Sequence, residues 1–537
     1  MAVCTAIPLD YDSVSAGPPS ARLDVAPADP GLSQADVTRR LFWMFVGCHV
    51  VLWTTVQALT SPNRPLDMVG SMFWGRSWQW GYHRHPPLPS WIAEIVFQLS
   101  AGAIWPMYVV GPLAVAISFW AAWTLAKEFL KPWPALCASV LLETCGYYNF
   151  TTADLNHTII VQPFWALSAL CFYRALTRKK LRYWAATGIS LGVGMLAKYD
   201  IAILATCILL LPVINRHARA YLLSPGPYLT LFIALAIFSP HVAWMANNHF
   251  STVVWAVERG QNTRSLLGHV VNPLEFGLAQ VLALLPMLAI SYPLWRKGQP
   301  REARSGEVTE LQRDFILLVC LGPFVLDLII SAATGVHLQS MWGAPIWNFS
   351  GLCLVLYAKV APQAAVYRTL VFRCAITGLI VVAILITRNV ALPYVRHKGS
   401  RIHFPGNQLA AAIQRRWHEH TDAPLSVVAG PWWPAANAGL CMDGRVQIYD
   451  FIYPEGSPWA SDDLLRKRGG IVVWELDGDG AKCAQQVRFR FPEAKILPSF
   501  ALHWQTGADI PPAPFGLAIV LPSSAAPDNA HGQIPAE

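Results

Sequence analysis

Long apolar stretches separated by short polar segments dominate the pattern of hydrophobic and polar positions along this chain. Each stretch has about 20 residues, the length that an α-helix needs to cross the hydrocarbon core of a membrane. Such segments must be helical, because a bilayer offers no water to bind free backbone groups. The pattern therefore predicts a mainly α, polytopic membrane protein with about eleven transmembrane helices. The predicted spans lie near residues 40–60, 107–126, 133–150, 158–176, 183–199, 200–214, 226–246, 272–295, 314–334, 341–358 and 366–390.

The apolar run 88–104 has two interpretations, a twelfth span or a helix that lies along the membrane surface. Positive charge favours the surface helix. If residues 88–104 do not cross, the segments on one side of the membrane hold 19 Lys and Arg residues, and the opposite loops hold about six. Cytoplasmic loops carry the excess of positive charge. This assignment places the basic cluster 174–182 in the cytoplasm and the loops around Asp67 and Asp154 on the extracytoplasmic side.

Composition agrees with a membrane protein, because 54% of the residues are hydrophobic and only 13% are charged. The net charge of +8 does not indicate nucleic-acid binding, since much of it lies in short loops between spans, where it orients the chain. Residues 1–38 are predicted to be a disordered cytoplasmic tail. The first 35 residues are rich in Pro, Ala, Ser and Asp and lack the basic start and apolar core of a signal peptide.

Charged residues return after the last span, and the transmembrane domain is accordingly assigned to residues 39–392. The segments Ser426–Gly430 and 469–476 have the pattern of short strands next to glycine turns. Residues 393–537 are therefore predicted to form a soluble α/β domain on the extracytoplasmic side. Cys441 and Cys483 lie there, and both a disulfide and two free thiols are open alternatives.

The loop that follows the first predicted span is the most unusual segment of the chain. It contains Asp67, several aromatic residues, the basic triplet 83–85 and a Pro-Pro pair that prevents helix formation. Asp67 could cap a helix or pair with Arg64 or Arg76. A carboxylate in such a loop could also act as a general base, because a sugar hydroxyl needs help to lose its proton.

Four basic residues are candidates for binding a phosphate group. Arg84 and His85 could contact lipid headgroups, or they could stabilise the negative charge of a departing phosphate. Lys198 interrupts an apolar stretch and could pair with Asp200 or bind phosphate. His337, in a later outward loop, could do likewise.

A second carboxylate and several aromatic side chains complete the candidate site. Asp154 borders an apolar span, where a charged residue usually has a partner or a function. It could orient an acceptor or, with Asn156 and His157, bind a divalent cation. Trp78, Trp80 and Tyr82 could belong to an interfacial aromatic belt, or they could stack on sugar or isoprenoid. The chain has none of the usual nucleotide-binding, metalloprotease or serine-hydrolase motifs.

The first loop also carries a resemblance. Its motif runs from Asp67-Met-Val through Trp-Gln-Trp-Gly-Tyr82 to His85-Pro-Pro-Leu-Pro-x-Trp91. It resembles the bacterial GT-C glycosyltransferases of the protein mannosyltransferase-like superfamily, in particular the Rgt-type galacturonosyltransferases and, more remotely, the lipid A aminoarabinose transferases. The likeness covers roughly residues 40–480. Further matching segments are Gly146–Thr151, Leu196–Tyr199, Ser239–His241, Met341–Trp347 and Arg401–Gly406.

The resemblance implies an enzyme of the bacterial inner membrane whose active site and C-terminal domain face the periplasm. It implies a polyprenyl-phosphate-linked sugar as donor and inversion at the anomeric carbon. The acceptor would be lipid A or core saccharide, another envelope glycan or a protein. Asp67 matches the family's presumed base, His85 and Lys198 match basic positions, and Asp154 matches an acid of the second outward loop.

Two positions depart from the family's pattern. Many relatives carry Glu where this chain has Gly70, and Lys or Arg is frequent where this chain has Val336 and His337. A transporter or flippase of lipid-linked sugars and a catalytically inactive glycan-binding relative are the alternative functions. A transporter would normally show repeated halves, and this sequence shows none.

Overall fold

A computed structural model of the chain describes residues 33–260, 266–300, 308–361, 365–442, 444–476 and 480–523. Most of the predicted N-terminal tail therefore lies outside the described residues. Helix α1 begins at Gln34, a few residues before the predicted boundary at residue 39. The Ser33 hydroxyl caps this helix by accepting a hydrogen bond from the Asp36 amide.

The chain is mainly helical up to residue 396 and contains both helices and strands from residue 406. The helices of the first part are α1 Gln34–Thr60, α2 Leu66–Gly75, α3 Leu88–Leu99, α4 Met107–Ala126, α5 Pro132–Val140, α6 His157–Arg178, α7 Leu181–Ala197, α8 Ile201–Ile214, α9 Arg216–Arg219, α10 Pro225–Asn247, α11 Ser251–Gly260, α12 Gly268–Ser291, α13 Glu310–Thr334, α14 Ser350–Ala358, α15 Val366–Ile386 and α16 Leu392–Arg396. The elements of the second part are α17 Gly406–His418, β1 Val427–Gly430, α18 Trp432–Leu440, β2 Gln447–Asp450, α19 Asp462–Arg468, β3 Gly470–Glu475, α20 Gly480–Arg490, β4 Lys495–Leu502 and β5 Ala513–Val520.

Seven helices in the described residues are long and apolar enough to cross a membrane, and an eighth span results if the bent pair α8 and 216–223 is counted as one. The predicted count of about eleven is therefore not confirmed. Three predicted spans correspond to shorter or irregular helices. They are α5 with the 3-10 turn that follows it, the 17-residue α7, and the 3-10 segment Ser340–Phe349 with α14.

Helix α3 occupies the ambiguous apolar run. It has 12 residues, and at 1.5 Å per residue its length is about 18 Å, shorter than the roughly 30 Å core of a bilayer. This length agrees with a helix that does not cross.

The central helices share one large apolar core that contains α1, α4, α5, α6 and parts of α13 to α15. A buried hydrogen-bonded contact fixes α1 within it. Glu143 lies 2.8 Å from Nδ1 of His49 and accepts a hydrogen bond from the Trp53 indole at 3.2 Å. A carboxylate inside a membrane bundle is costly unless it is paired, so this contact fixes the position of α1 against the chain around residue 143.

The second part is built on a five-stranded mixed sheet in the order β2-β1-β3-β5-β4. Strand β1 pairs in parallel with β2 and β3, while β5 pairs antiparallel with β3 and β4. Helices α19 and α20 cover one face of the sheet. Helices α17 and α18 cover the other face, together with α2.

Helix α2 joins the two parts of the molecule. Its side chains Met68, Val69, Met72 and Phe73 are almost fully buried in the core that contains the sheet residues Val428, Ile471 and Phe515. A helix of the first loop therefore packs as part of the sheet domain. The predicted boundary at residues 392 and 393 stays a prediction.

Cys441 and Cys483 are both free thiols. Cys441 Sγ accepts a hydrogen bond from Arg64 at 3.1 Å on the α2 side of the sheet. Cys483 is buried against the opposite face, with Val487 and Phe491. The disulfide that the sequence left open is wrong, because the sheet separates the two sulfur atoms.

Candidate active site

Helix α2 holds Asp67 in its first turn. Pro65 precedes the helix, and the apolar side chains that follow fix it in the core below. The Asp67 side chain is exposed to solvent, but the surrounding segments reduce its hydration. Arg64 and Arg76, the partners considered from the sequence, bind elsewhere, to Cys441 Sγ and to the Val446 carbonyl oxygen.

Asp154 lies beside Asp67, at the end of the 3-10 turn Phe150–Ala153. Helix α4 packs closely on this turn at Gly111, where a Cβ atom would lie 2.2 Å from the Thr152 carbonyl oxygen. A larger residue at 111 would therefore displace the turn. Asn156 then caps α6 by accepting a hydrogen bond from the Ile159 amide. Asp154 Oδ1 is buried and has no hydrogen-bond partner in the described part of the chain.

The two carboxyl groups influence each other's protonation. Burial, and secondly repulsion by Asp67, raises the pKa of Asp154 to about 8. Loss of hydration also raises the pKa of Asp67, while Arg259 and Arg401 act in the opposite direction. Near neutral pH Asp154 therefore keeps its proton, and the cations Arg259 and Arg401 favour Asp67 as the ionised member of the pair.

His85 lies in a stack of rings at the other end of the first loop. Its ring stacks on His157 with 3.8 Å between centroids and meets Trp255 edge to face at 4.9 Å. Burial holds the pKa of His85 well below its ordinary value, and His157, Lys198, Arg84 and Arg259 add to this effect. His85 is therefore neutral, and it can offer a hydrogen bond but not a charge.

Lys198 is held between two side chains. Its ammonium group lies 2.8 Å from Asp200 Oδ2 and donates a hydrogen bond to Thr158 at 3.0 Å. It also lies 5.4 Å from the centre of the Trp342 ring. The pairing with Asp200, one of the two sequence alternatives, is present. An ammonium group has three donors, so one hydrogen remains available beyond these two contacts.

His337 is not brought together with these residues. Its Nδ1 atom lies 3.7 Å from Glu275, and its amide donates a hydrogen bond to the Gly260 carbonyl. This contact places His337 next to the end of α11 but against another acid. Its assignment as a phosphate ligand remains a prediction.

Two arginines that the sequence interpretation did not select also influence the site. The charge of Arg259 on α11 lowers the pKa of both Asp67 and His85, and its guanidinium lies 5.3 Å from the centre of the Trp255 ring. The charge of Arg401 lowers the pKa of Asp67. Both were visible in the sequence, Arg259 as an outward charge and Arg401 in a matching segment, but only tertiary structure brings them to the acid pair. We use the name recess for the region in which Asp67, Asp154, His85, Lys198, Arg84, Arg259 and Arg401 lie close enough to affect one another's charge.

The three aromatic candidates occupy different environments. Trp78 and Trp80 are 45% and 46% exposed, whereas Tyr82 is 2% exposed. The loop at Trp80 is anchored because His241 donates a hydrogen bond from Nδ1 to the Trp80 carbonyl at 2.6 Å, and Tyr199 binds Nε2 of the same ring. Tyr82 stacks on Trp74 and faces inward, so an exposed aromatic belt describes only the two tryptophans.

No group of three His, Cys, Asp or Glu side chains suited to a metal ion occurs among the residues that the structure describes. Asp67 and Asp154 are a pair of acids, and His157 stacks on His85. A cation held by one or two carboxylates together with a substrate phosphate would need no such group of three, so the divalent cation left open by the sequence stays a prediction.

An apolar groove of about 680 Å³ lies between α3, α4 and α6. Its walls include Ile92, Val110 and Phe164. Ile160, one turn after His157 on α6, also lines it, so the groove begins close to the recess. Its size and lining suit a hydrocarbon chain.

Comparison with known proteins finds a family model that matches part of this chain, and several similar proteins. Residues 84–244 match the model of the dolichyl-phosphate-mannose-protein mannosyltransferase family. The chain is 24% identical to the lipopolysaccharide core galacturonosyltransferase RgtB of Rhizobium johnstonii, in an alignment that covers 83% of this chain and 89% of that protein. It is 22% identical to the lipid A galacturonosyltransferase RgtD of the same organism, over 55% of this chain and 61% of that protein.

The fold has a counterpart among solved structures. The structure of ArnT from Cupriavidus metallidurans bound to undecaprenyl phosphate superimposes with a TM-score of 0.62 and 12% identity, over 91% of this chain and 99% of that chain. At this identity the likeness concerns the fold alone.

Proposed function

We propose that this chain, which belongs to the bacterial GT-C glycosyltransferases of the protein mannosyltransferase-like superfamily, transfers a sugar from a polyprenyl-phosphate-linked donor to an extracytoplasmic glycolipid, glycan or protein. Lipid A or its core saccharide is the acceptor that the relatives' names favour. A uronic acid is the corresponding donor sugar. The observation that carries the proposal is the meeting of an acid pair with cations from separate segments in one recess.

The acid pair supplies the base. Asp67 accepts the proton of the acceptor hydroxyl group, and the oxygen of that hydroxyl group forms a bond to the anomeric carbon. Attack from the face opposite the phosphate inverts that carbon. Asp154 is neutral near pH 7 because its pKa is about 8, so its carboxyl group can donate a hydrogen bond that positions the acceptor.

The cations receive the leaving group. The bond from the anomeric carbon to the phosphate oxygen breaks with its electrons on the phosphate, whose negative charge increases. Arg84, Lys198 and Arg259 surround His85 and would stabilise this charge, while neutral His85 donates a hydrogen bond. Lys198 contributes less than a free ammonium group, because Asp200 already neutralises part of its charge.

The apolar groove between α3, α4 and α6 supports a lipid-linked donor. An isoprenoid tail in this groove would bring its phosphate toward His157 and His85, since Ile160 lies one helical turn from His157. A donor dissolved in water would gain nothing from such a groove. The ArnT structure with undecaprenyl phosphate shows that a protein of this fold was solved with a lipid phosphate of this class.

Replacing Asp67 with Asn tests the proposal. We expect transfer from a polyprenyl-phosphate sugar to purified lipopolysaccharide to fall at least about a thousandfold, because the amide cannot accept the proton. Asp463→Asn, at an acid that is 84% exposed on α19, is the matched control and should retain full activity. Mass spectrometry of the product is the measurement. An Asp67→Asn variant with normal activity would contradict the role as base, and absence of product from the wild-type protein would favour a transporter or a binding protein.

A further inference from the structure

A second cavity lies beside the recess, between the first loop and the sheet domain. Its volume is about 390 Å³, within the roughly 300–1,000 Å³ range of small-molecule sites. Three segments meet there, namely the first loop at 81–83, the junction of α10 and α11 at 244–251, and the turn 455–459 that follows β2. None of the residues that define the recess lines it.

The lining has the chemistry that binds sugar rings. Tyr82, Trp244 and Trp459 provide flat apolar faces, and Tyr82 and Trp459 meet at a right angle with centroids 6.5 Å apart. Asn247, Asn248, His83, His249, Ser251 and Glu455 provide donors and acceptors around these faces. A pyranose has apolar C–H faces and hydroxyl edges, so it matches both kinds of wall.

One polar atom of this lining has no protein partner. His83 Nδ1 is buried and lacks a hydrogen-bond partner in the described part of the chain. Buried polar groups are normally satisfied, so this atom has unused capacity for a ligand. Burial raises the pKa of Tyr82 above its ordinary value, which keeps its hydroxyl protonated and able to donate.

The backbone at the cavity is also unusual. His249 and Phe250 both have left-handed conformations, with φ of 53° and 52°. This region is unfavourable for side chains other than Gly, Asn, Asp and His, so Phe250 is the unusual member of the pair. Two successive residues held this way turn the chain sharply between α10 and α11 and place residues 247–251 on one wall.

Charge decides which sugar fits. Among the lining residues there is no Lys or Arg, and Glu455 is the acid that faces the cavity. An anionic uronate or a phosphate would find no cation here, in contrast to the recess. A neutral hexose is compatible with this lining.

We infer that this cavity is a binding subsite for a neutral pyranose residue of the acceptor saccharide, next to the residue that receives the transferred sugar. The inference rests on the proposed function only where it identifies the bound sugar as part of the acceptor. Binding of a neutral sugar to these residues can be measured without any transfer.

Saturation-transfer NMR on the full chain in lipid nanodiscs tests the inference, because such nanodiscs avoid detergents with sugar headgroups. The probes are the methyl pyranosides of glucose, galactose and mannose, with methyl glucopyranosiduronate as the charged comparison. We expect saturation of ring protons for at least one neutral probe. A signal from the uronate, which the cations of the recess attract, should not change in the Glu455→Gln variant. Glu455→Gln and Trp459→Ala should each lower the neutral signal at least fivefold, while Glu419→Gln and Trp43→Ala, at residues remote in sequence from the lining, should not.

Glu455 is exposed on a short turn, so its variant keeps the test valid if Trp459→Ala fails to fold. Asp67→Asn should retain glycoside binding while transfer is lost, which separates this inference from the proposed function. In a transfer assay Glu455→Gln should raise the KM for the acceptor and leave the KM for the donor unchanged. The inference is overturned if no neutral probe binds, if Glu455→Gln lowers the uronate signal as much as the neutral one, or if Glu455→Gln binds neutral probes like the wild-type protein.

Discussion

At the scale of single residues, protonation of the acid pair is the property that matters most. Asp67 and Asp154 come from different loops, and each makes ionisation of the other less favourable. The pair can therefore act as one base and one hydrogen-bond donor at neutral pH. This division of roles depends on Asp154 keeping its proton.

The Asp154→Asn variant is predicted to lose the alkaline limb of the pH profile. In the wild-type protein, activity should fall above about pH 8, because Asp154 then ionises beside Asp67 and the departing phosphate. Asn cannot ionise, so the variant should stay active above this pH and lie within about tenfold of the wild-type rate at pH 7. Initial transfer rates between pH 5 and 10 are the measurement, with Asp463→Asn as control. An unchanged alkaline limb in the variant would assign that limb to another group.

Sequence reasoning selected Asp67, Asp154, His85, Arg84 and Lys198, and the structure places all five around the recess. Their roles remain predictions. The neutral state of His85 could not be foreseen, because it results first from burial and then from His157 and from cations such as Lys198 and Arg259 that lie far away in the sequence. A motif shows which residue types occur, whereas charge state depends on what the fold places beside them.

At the scale of elements, α11 contributes to the recess a cation that no sequence motif predicted. Arg259 lies in the last turn of α11, and its charge lowers the pKa of both Asp67 and His85. Nothing in the local sequence distinguishes it from an ordinary surface charge. Its position depends on how α10 and α11 turn relative to the first loop.

Arg259→Gln is predicted to move the acid limb of the transfer profile to higher pH. Removing the cation favours the protonated form of Asp67, whose pKa is already raised by lost hydration. A raised carboxyl pKa means that the active, ionised form appears only at higher pH, and we expect a displacement of about one pH unit. The same pH–rate series measures it, with Arg415→Gln on α17 as control. A lower rate at every pH without displacement would indicate a role in phosphate binding alone.

Helix lengths show where hydropathy was sufficient and where it was not. The long apolar runs of α4, α10, α12 and α13 appear close to their predicted positions. The runs 133–150 and 341–358 contain 3-10 segments instead of one regular helix. Hydropathy records burial in an apolar medium, and it does not record whether the buried backbone is regular.

At the scale of the whole molecule, the sheet domain is fastened to the membrane part by an ionic contact. Glu94 of α3 is 2% exposed and pairs with Arg445, and Gln98 donates a second hydrogen bond to it at 2.7 Å. Asn63 adds a bond to Asn437 at 2.9 Å. The predicted division into two domains did not foresee this, because residues far apart in sequence make these contacts.

Breaking the Glu94–Arg445 pair is predicted to loosen the sheet domain. Arg445→Ala leaves a buried carboxylate without its cation and should destabilise the docked arrangement by about 1–3 kcal/mol. Glu94→Gln should cost less, and the double variant should be no worse than Arg445→Ala, because the unpaired charge is gone. The rate of limited proteolysis between residues 390 and 410 is the measurement, with Arg415→Ala as control. Additive effects of the two substitutions would show that they act independently.

The shared core of α2 and the sheet also determines how Asp67 can move. The helix that carries this acid packs against the sheet, so the sheet domain cannot shift without taking the acid with it. Lys198 would not follow such a shift, because it lies at the end of α7 and pairs with Asp200 in the membrane part. The sheet domain and the proposed base therefore form one moving unit, and any displacement of the domain changes the distance between that base and the proposed phosphate-binding residues.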